Sequence, residues 1–80
     1  MDLLLAMRSF VRVVETGSFT AVARELRTAQ PSVSKHIAWL EQHLGNRLME
    51  RTTRRLSLTQ EALEYYERAK AILGELEHAE

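Results

Sequence analysis

Four arginines, Arg47, Arg51, Arg54 and Arg55, fall within nine consecutive positions and form the densest concentration of positive charge in the 80-residue sequence. Arginine carries a permanent cation on a rigid fork of donors, so such a cluster suits a polyanion that bears phosphates. Upstream, Gln30-Pro31 opens a segment in which Val33, Ile37, Leu40 and Leu44 recur at helical spacing. At about 100° per residue, the opposite side of that helix carries Pro31, Lys35, Ala38 and Gln42, with Ser32, Ser34 and Trp39 on its flanks. This outer side is small, polar and basic, with no bulky aliphatic residue. A helix with such a side can enter a groove and hydrogen-bond to its walls.

Other chemistries find less support. There is no cysteine, so neither a disulfide framework nor a thiolate metal site is available. His36 and His43 stand seven residues apart on one line of the third helix, but no third ligand accompanies them, and histidines at a surface or boundary are the simpler reading. A small helical enzyme would need convergent charges or a nucleophile beside a base inside a pocket. Here the basic residues gather on a helix face and a short loop instead. No catalytic residue, metal or cofactor is expected. With 45% hydrophobic and 28% charged residues, the chain reads as globular rather than disordered. No apolar run approaches the ~20 residues of a membrane span, and the expected setting is a reducing cytoplasm.

Net charge is zero, yet it divides unevenly. Residues 1–60 hold nine basic and five acidic residues, whereas residues 61–80 hold two basic and six acidic ones. A basic head on an acidic tail implies that the head alone meets the polyanion. A solvated, Glu-rich helical tail explains the second half equally well.

The elements that must position these groups can be read from period and punctuation. Leu3, Met7, Phe10, Val11 and Val14 mark one face of a first helix, with Asp2 at its start and Gly17 at its end. Ser18 caps a short second helix whose apolar face is Phe19, Val22, Ala23 and Leu26. After Arg27-Thr28-Ala29, the third helix runs from Gln30 to Leu44 and stops at Gly45. Residues 47–51 and 55–58 read as two short strands around a polar tip at 52–54. Thr59 then caps a long helix, along which Ala62, Tyr66, Ala69, Leu73 and Leu76 recur at 4-3-4-3 spacing. A long amphipathic helix has little core of its own to cover in so small a domain, which buries only about 60% of its unfolded surface. That seam is therefore expected to face a second copy of the chain. The fold class expected is mainly α: a winged helix-turn-helix of three helices and a short β-hairpin wing over residues 1–58, followed by a dimerisation helix over 59–80.

The residues themselves resemble the start of LysR-type transcriptional regulators. The run Phe10 to Leu26 carries the resemblance, with Gln30-Pro31-Ser32-Val33-Ser34-Lys35-His36-Ile37, Leu40-Glu41, Leu44-Gly45, Arg47-Leu48, Arg51-Thr52-Thr53-Arg54-Arg55 and Leu58-Thr59. These motifs span nearly the whole chain, in order. The resemblance implies an N-terminal DNA-binding domain and a linker helix that forms a homodimer. It also implies a small-molecule effector bound only by a larger C-terminal domain that this chain lacks. Three positions depart from the pattern. Ala29 stands where the family usually has serine, which removes the cap of the third helix unless Thr28 replaces it. Ala62 stands where a glycine is usual, and Arg27 where a turn-former is common.

Taken together, Gln30, Pro31, Ser32, Ser34 and Lys35 are the expected contacts in a DNA major groove, with Arg51, Thr52, Arg54 and Arg55 on phosphates or in the minor groove. Each has a plainer reading as helix start, turn or solubilising charge. Trp39 reads chiefly as a packing residue. Glu41 either pairs with an arginine at the hairpin base or is ordinary surface. Adjacent Tyr65 and Tyr66 point to different faces, one expected in the dimer seam and one against the domain. A competing function, a helical dimerisation or adaptor module that binds no DNA, explains the tail but leaves the arginine cluster unused. The target sequence, the effector, the pathway and the direction of regulation are not written in these residues.

Overall fold

The computed structural model describes residues 1–51 and 56–79. Its elements are α1 (Leu3–Thr16), α2 (Phe19–Glu25), α3 (Gln30–Leu44), β1 (Met49–Arg51), β2 (Leu56–Leu58) and α4 (Gln60–Ala79). β1 and β2 form an antiparallel pair in the register Met49↔Leu58, Glu50↔Ser57, Arg51↔Leu56. This is the mainly helical winged architecture expected.

Caps set the boundaries. The Asp2 carboxylate accepts from the Leu4 N–H at 2.9 Å, and the Ser18 hydroxyl accepts from the Ala21 N–H at 3.0 Å. α1 and α3 end on Gly17 and Gly45, at φ 67° and 75°. An added Cβ would meet nothing at either glycine, so the requirement is the left-handed backbone itself. The Thr59 hydroxyl accepts from the Ala62 N–H at 3.1 Å and donates to the Arg47 carbonyl at 2.8 Å. It thus caps α4 and ties that cap to the start of the wing. Arg27 takes φ 55°, the one non-glycine residue with positive φ among the described residues. The turn between α2 and α3 imposes this geometry on a residue that pays for it in steric strain.

Ala6, Met7, Phe10, Val11 and Val13 of α1 form one core with Val22, Ala23, Val33, Ile37, Leu40, Leu48, Met49, Ala62 and Ala69. α1 is packed by α2, α3 and α4 together, so its buried arc is wider than a one-sided stripe. It takes in Ala6, Ser9 and Val13, while Leu3 of the expected stripe remains 39% exposed.

The seam of α4 departs from expectation. Ala62 and Ala69 are wholly buried in the chain's own core, and Leu73 packs against that core. The Tyr65 ring lies 5.7 Å from Phe10, and the Tyr66 hydroxyl donates to Glu15 at 2.7 Å. Ala62 and Ala69 thus face the chain's own core, Tyr66 and Leu73 also pack against it, and both tyrosines make contacts inside the domain. Alanine at two of the five positions permits this, because it lets the two backbones come close. Leu76 is half-buried outside the core cluster, and Ile72 beside it is 49% exposed.

Candidate nucleic-acid interface

α3 separates its two sides cleanly. Val33, Ile37 and Leu40 have no exposed surface, whereas Gln30, Pro31, Lys35, Ala38 and Gln42 are exposed. Ser32 and Ser34 are half-buried on the flanks. The polar side is therefore open, and Lys35 points away from the core. Ala29 at the cap position has extended backbone and no side-chain bond to the helix, so Thr28 does not replace the missing cap. Pro31 brings no N–H, and the Ser32 N–H is taken by the Ala29 carbonyl at 2.9 Å.

Behind this face, α3 is fixed to α1 through His36. The buried Ser9 hydroxyl donates to the Leu5 carbonyl at 3.0 Å, which leaves its oxygen to accept from His36 Nδ1 at 2.8 Å. Serine at a fully buried helix position is thereby satisfied, and the imidazole is held by one ring nitrogen. His43 stacks on Trp39 with centroids 4.8 Å apart. Both histidines have partners inside the chain. No group of three His, Cys, Asp or Glu able to hold a metal occurs among the described residues.

The wing hangs on Glu41. One carboxylate oxygen accepts from the Leu48 N–H at 2.9 Å and from the Met49 N–H at 3.2 Å. Among the described residues its partners are these two backbone amides. Arg47, exposed at that base, pairs with Glu50 at 3.4 Å. Of the residues expected on the wing, Thr52, Arg54 and Arg55 lie outside the described residues, as does the side chain of Arg51.

A second network joins three helices away from the α3 face. Arg12 of α1 holds Glu25 of α2 with two bonds of 2.8 and 2.9 Å and reaches Glu15 at 2.7 Å. Glu15 in turn accepts from Tyr66 of α4. Lys70 lies 5.7 Å from the centre of the Tyr66 ring. The Tyr66 hydroxyl, and then Arg12, hold the Glu15 carboxyl below its ordinary value; Arg12 does the same for Glu25. The same contacts push Arg12 up, and the Glu15 anion raises the Tyr66 phenol. This network was not legible in the sequence, since its members are 13 and 51 residues apart.

Comparison with known proteins gives one consistent result. The family described as "Bacterial regulatory helix-turn-helix protein, lysR family" matches residues 4–63. An HTH-type transcriptional repressor of Pseudomonas aeruginosa is 44% identical over 80 residues, covering all of this chain and 25% of that protein. The HTH-type transcriptional regulator CrgA of Neisseria meningitidis is 49% identical over 71 residues, covering 89% of this chain and 24% of its own length. The chain spans about a quarter of the length of these curated relatives. Among solved structures, the BenM DNA-binding domain in complex with catB site 1 DNA superposes with a TM-score of 0.90 at 39% identity, covering 99% of this chain and 88% of that one. The DNA complex of the CbnR DNA-binding domain gives 0.89 at 30% identity, covering 99% and 90%.

Proposed function

The chain belongs to the lysR family of bacterial regulatory helix-turn-helix proteins, and from that premise we propose that it binds duplex DNA sequence-specifically as the DNA-reading part of a transcription regulator. The observation that carries this reading is the open face of α3, where Gln30, Pro31 and Lys35 are exposed above a fully buried Val33-Ile37-Leu40 side. α3 enters the major groove with its N-terminal end foremost. There Gln30 is suited to adenine, Pro31 to a thymine methyl, and Lys35 to guanine or a phosphate. Ser32 and Ser34 flank these contacts. Arg51, Thr52, Arg54 and Arg55 of the wing grip phosphates and the minor groove beside it.

Residues 1–58 form the reading domain and residues 59–80 the dimerising helix. With Ala62 and Ala69 buried in the chain's own core, the apolar side chains that α4 offers to a second copy are exposed Leu63 and Ile72 and half-buried Leu76, one turn from Ile72. Two copies place two recognition helices in successive major grooves, about 34–36 Å apart, on an interrupted near-palindrome. The protein acts in the cytoplasm, carries no catalytic site of its own, and takes its effector through a further domain.

Titrating a fluorescent duplex across roughly 50–200 mM salt tests the central reading. Affinity should fall steeply, by about 10³-fold for six phosphate contacts. A flat response would instead favour an adaptor module that binds no DNA.

A further inference from the structure

α4 rests on the domain through small residues. Ala62 and Ala69 are its two wholly buried positions, about two turns apart on the side that faces the core. Alanine methyls fill no deep groove, so they permit close approach without fixing the angle at which the helices cross. The angle must be set by larger or directional groups. Thr59 fixes the start of α4 to the wing and Tyr65 packs on Phe10, and along the helix Tyr66 adds a directional bond to α1, its hydroxyl donating to Glu15 at 2.7 Å. Glu15 is itself held by Arg12, and Arg12 is clamped by two bonds to Glu25 of α2. A continuous chain of hydrogen bonds thus runs from α4 across α1 to the first helix of the helix-turn-helix pair.

Stability is a poor reason for this chain. The side chains of Arg12 and Glu25 are 42% and 41% exposed, and pairs this wet add little to folding. Their geometry is nevertheless specific, with a two-pronged arginine–carboxylate grip at one end and a short phenol–carboxylate bond at the other. We propose that the Glu25–Arg12–Glu15–Tyr66 chain is a positioning device that sets the angle of α4 to the helix-turn-helix, and thereby the separation of the two DNA half-sites read by the dimer. The inference rests on the dimeric DNA-binding reading above.

The lever arm makes the angle matter. From Tyr66 to Ala79, α4 extends about 20 Å at 1.5 Å per residue. A swing of about 10° moves its far end by about 3.5 Å, close to the ~3.4 Å rise of one base pair. In a symmetric dimer both arms swing, so loss of the tie is worth about one or two base pairs of spacing.

The test is selection of bound duplexes from a random pool with the full chain, as wild type, Tyr66→Phe, Glu15→Ala and, as a control on the same helix, Glu67→Gln. The wild type and Glu67→Gln should return an inverted repeat with one dominant spacing. Tyr66→Phe and Glu15→Ala should return the same half-site with spacings spread or shifted by about one or two base pairs. Circular dichroism at the selection temperature establishes that each variant is folded. If Glu15→Ala is not, Tyr66→Phe decides alone, because it removes a single oxygen and leaves the ring in place. The same dominant spacing in wild type and Tyr66→Phe would overturn the proposal, as would a changed half-site sequence. Lone half-sites from the wild type would overturn the dimeric reading on which it rests.

Discussion

Replacing Glu41 with alanine is the sharpest test of how the wing is held. The carboxylate accepts from two backbone amides, Leu48 N–H at 2.9 Å and Met49 N–H at 3.2 Å, and both residues are buried, at 1% and 3% exposure. Hydrogen bonds to a charged group contribute about 1.5–3 kcal/mol each, and the loss strands two buried donors. Glu41 itself is half-buried, so water recovers part of the loss and the expected cost is about 2–4 kcal/mol. For a domain of this size that corresponds to a fall of about 10–25 °C in Tm. Glu41→Gln keeps one amide oxygen to accept from the same donors and should cost about 1 kcal/mol. Thermal unfolding followed by circular dichroism measures both. Non-specific DNA affinity at a temperature where Glu41→Ala is still folded should also drop, because the wing loses its anchor on α3. A Glu41→Ala protein melting within about 3 °C of wild type would refute the reasoning, since that is under 1 kcal/mol.

Three further outcomes follow from the same geometry. Lys35→Ala should weaken binding to the selected site by about 10- to 100-fold more than to random DNA, whereas Arg54→Ala should weaken both alike and lower the salt slope by about one; equal effects of the two changes on both DNAs would remove the distinction between base and phosphate contacts. Glu15 and Glu25 are held below 4.5, by Tyr66 and Arg12 respectively, so their stabilisation is present above that pH and is lost as pH falls through their lower folded values; because these groups are exposed, their share of the decline in Tm below about pH 4.5 should be small, and a Glu15→Gln/Glu25→Gln double variant with a steeper acid slope than wild type would contradict this. Arg27, at φ 55°, should tolerate glycine with no loss of stability but lose about 1–2 kcal/mol on change to valine, and a valine variant as stable as wild type in urea unfolding would show that the turn relaxes.

Much of the framework was readable because it is local. Asp2, Gly17, Ser18, Gly45 and Thr59 each act within one turn of where they stand, and all five mark the boundaries their residue types imply. The open face of α3 was equally legible, since one helical period places Lys35 opposite Val33, Ile37 and Leu40. Long-range partners were not. Glu41 read either as a partner for an arginine at the hairpin base or as ordinary surface, and only the path of the chain after Gly45 brings the amides of Leu48 and Met49 to its carboxylate. Ser9 looks like a surface serine until His36, 27 residues away, meets it in the core.

The seam of α4 shows where pattern reading ends. A 4-3-4-3 repeat states that one side of a helix is apolar; it does not state what covers that side. The composition of the repeat carried the better signal. Two of its five positions are alanine, and a seam between two free-standing helices gains most from leucine-sized knobs in deep holes. Alanine instead suits a helix pressed close to a neighbour already fixed in place, and α1 is that neighbour. In the proposed dimer, the surface offered to a second copy keeps Leu76 of the stripe and adds exposed Ile72 and Leu63, which the stripe did not mark. That arrangement has a mechanical consequence. In the proposed dimer, a helix buried on its own domain along one side and free along the other would carry the orientation of the reading head to its partner, so that the few bonds fixing it to α1 act on the geometry of the pair more than on the stability of either half.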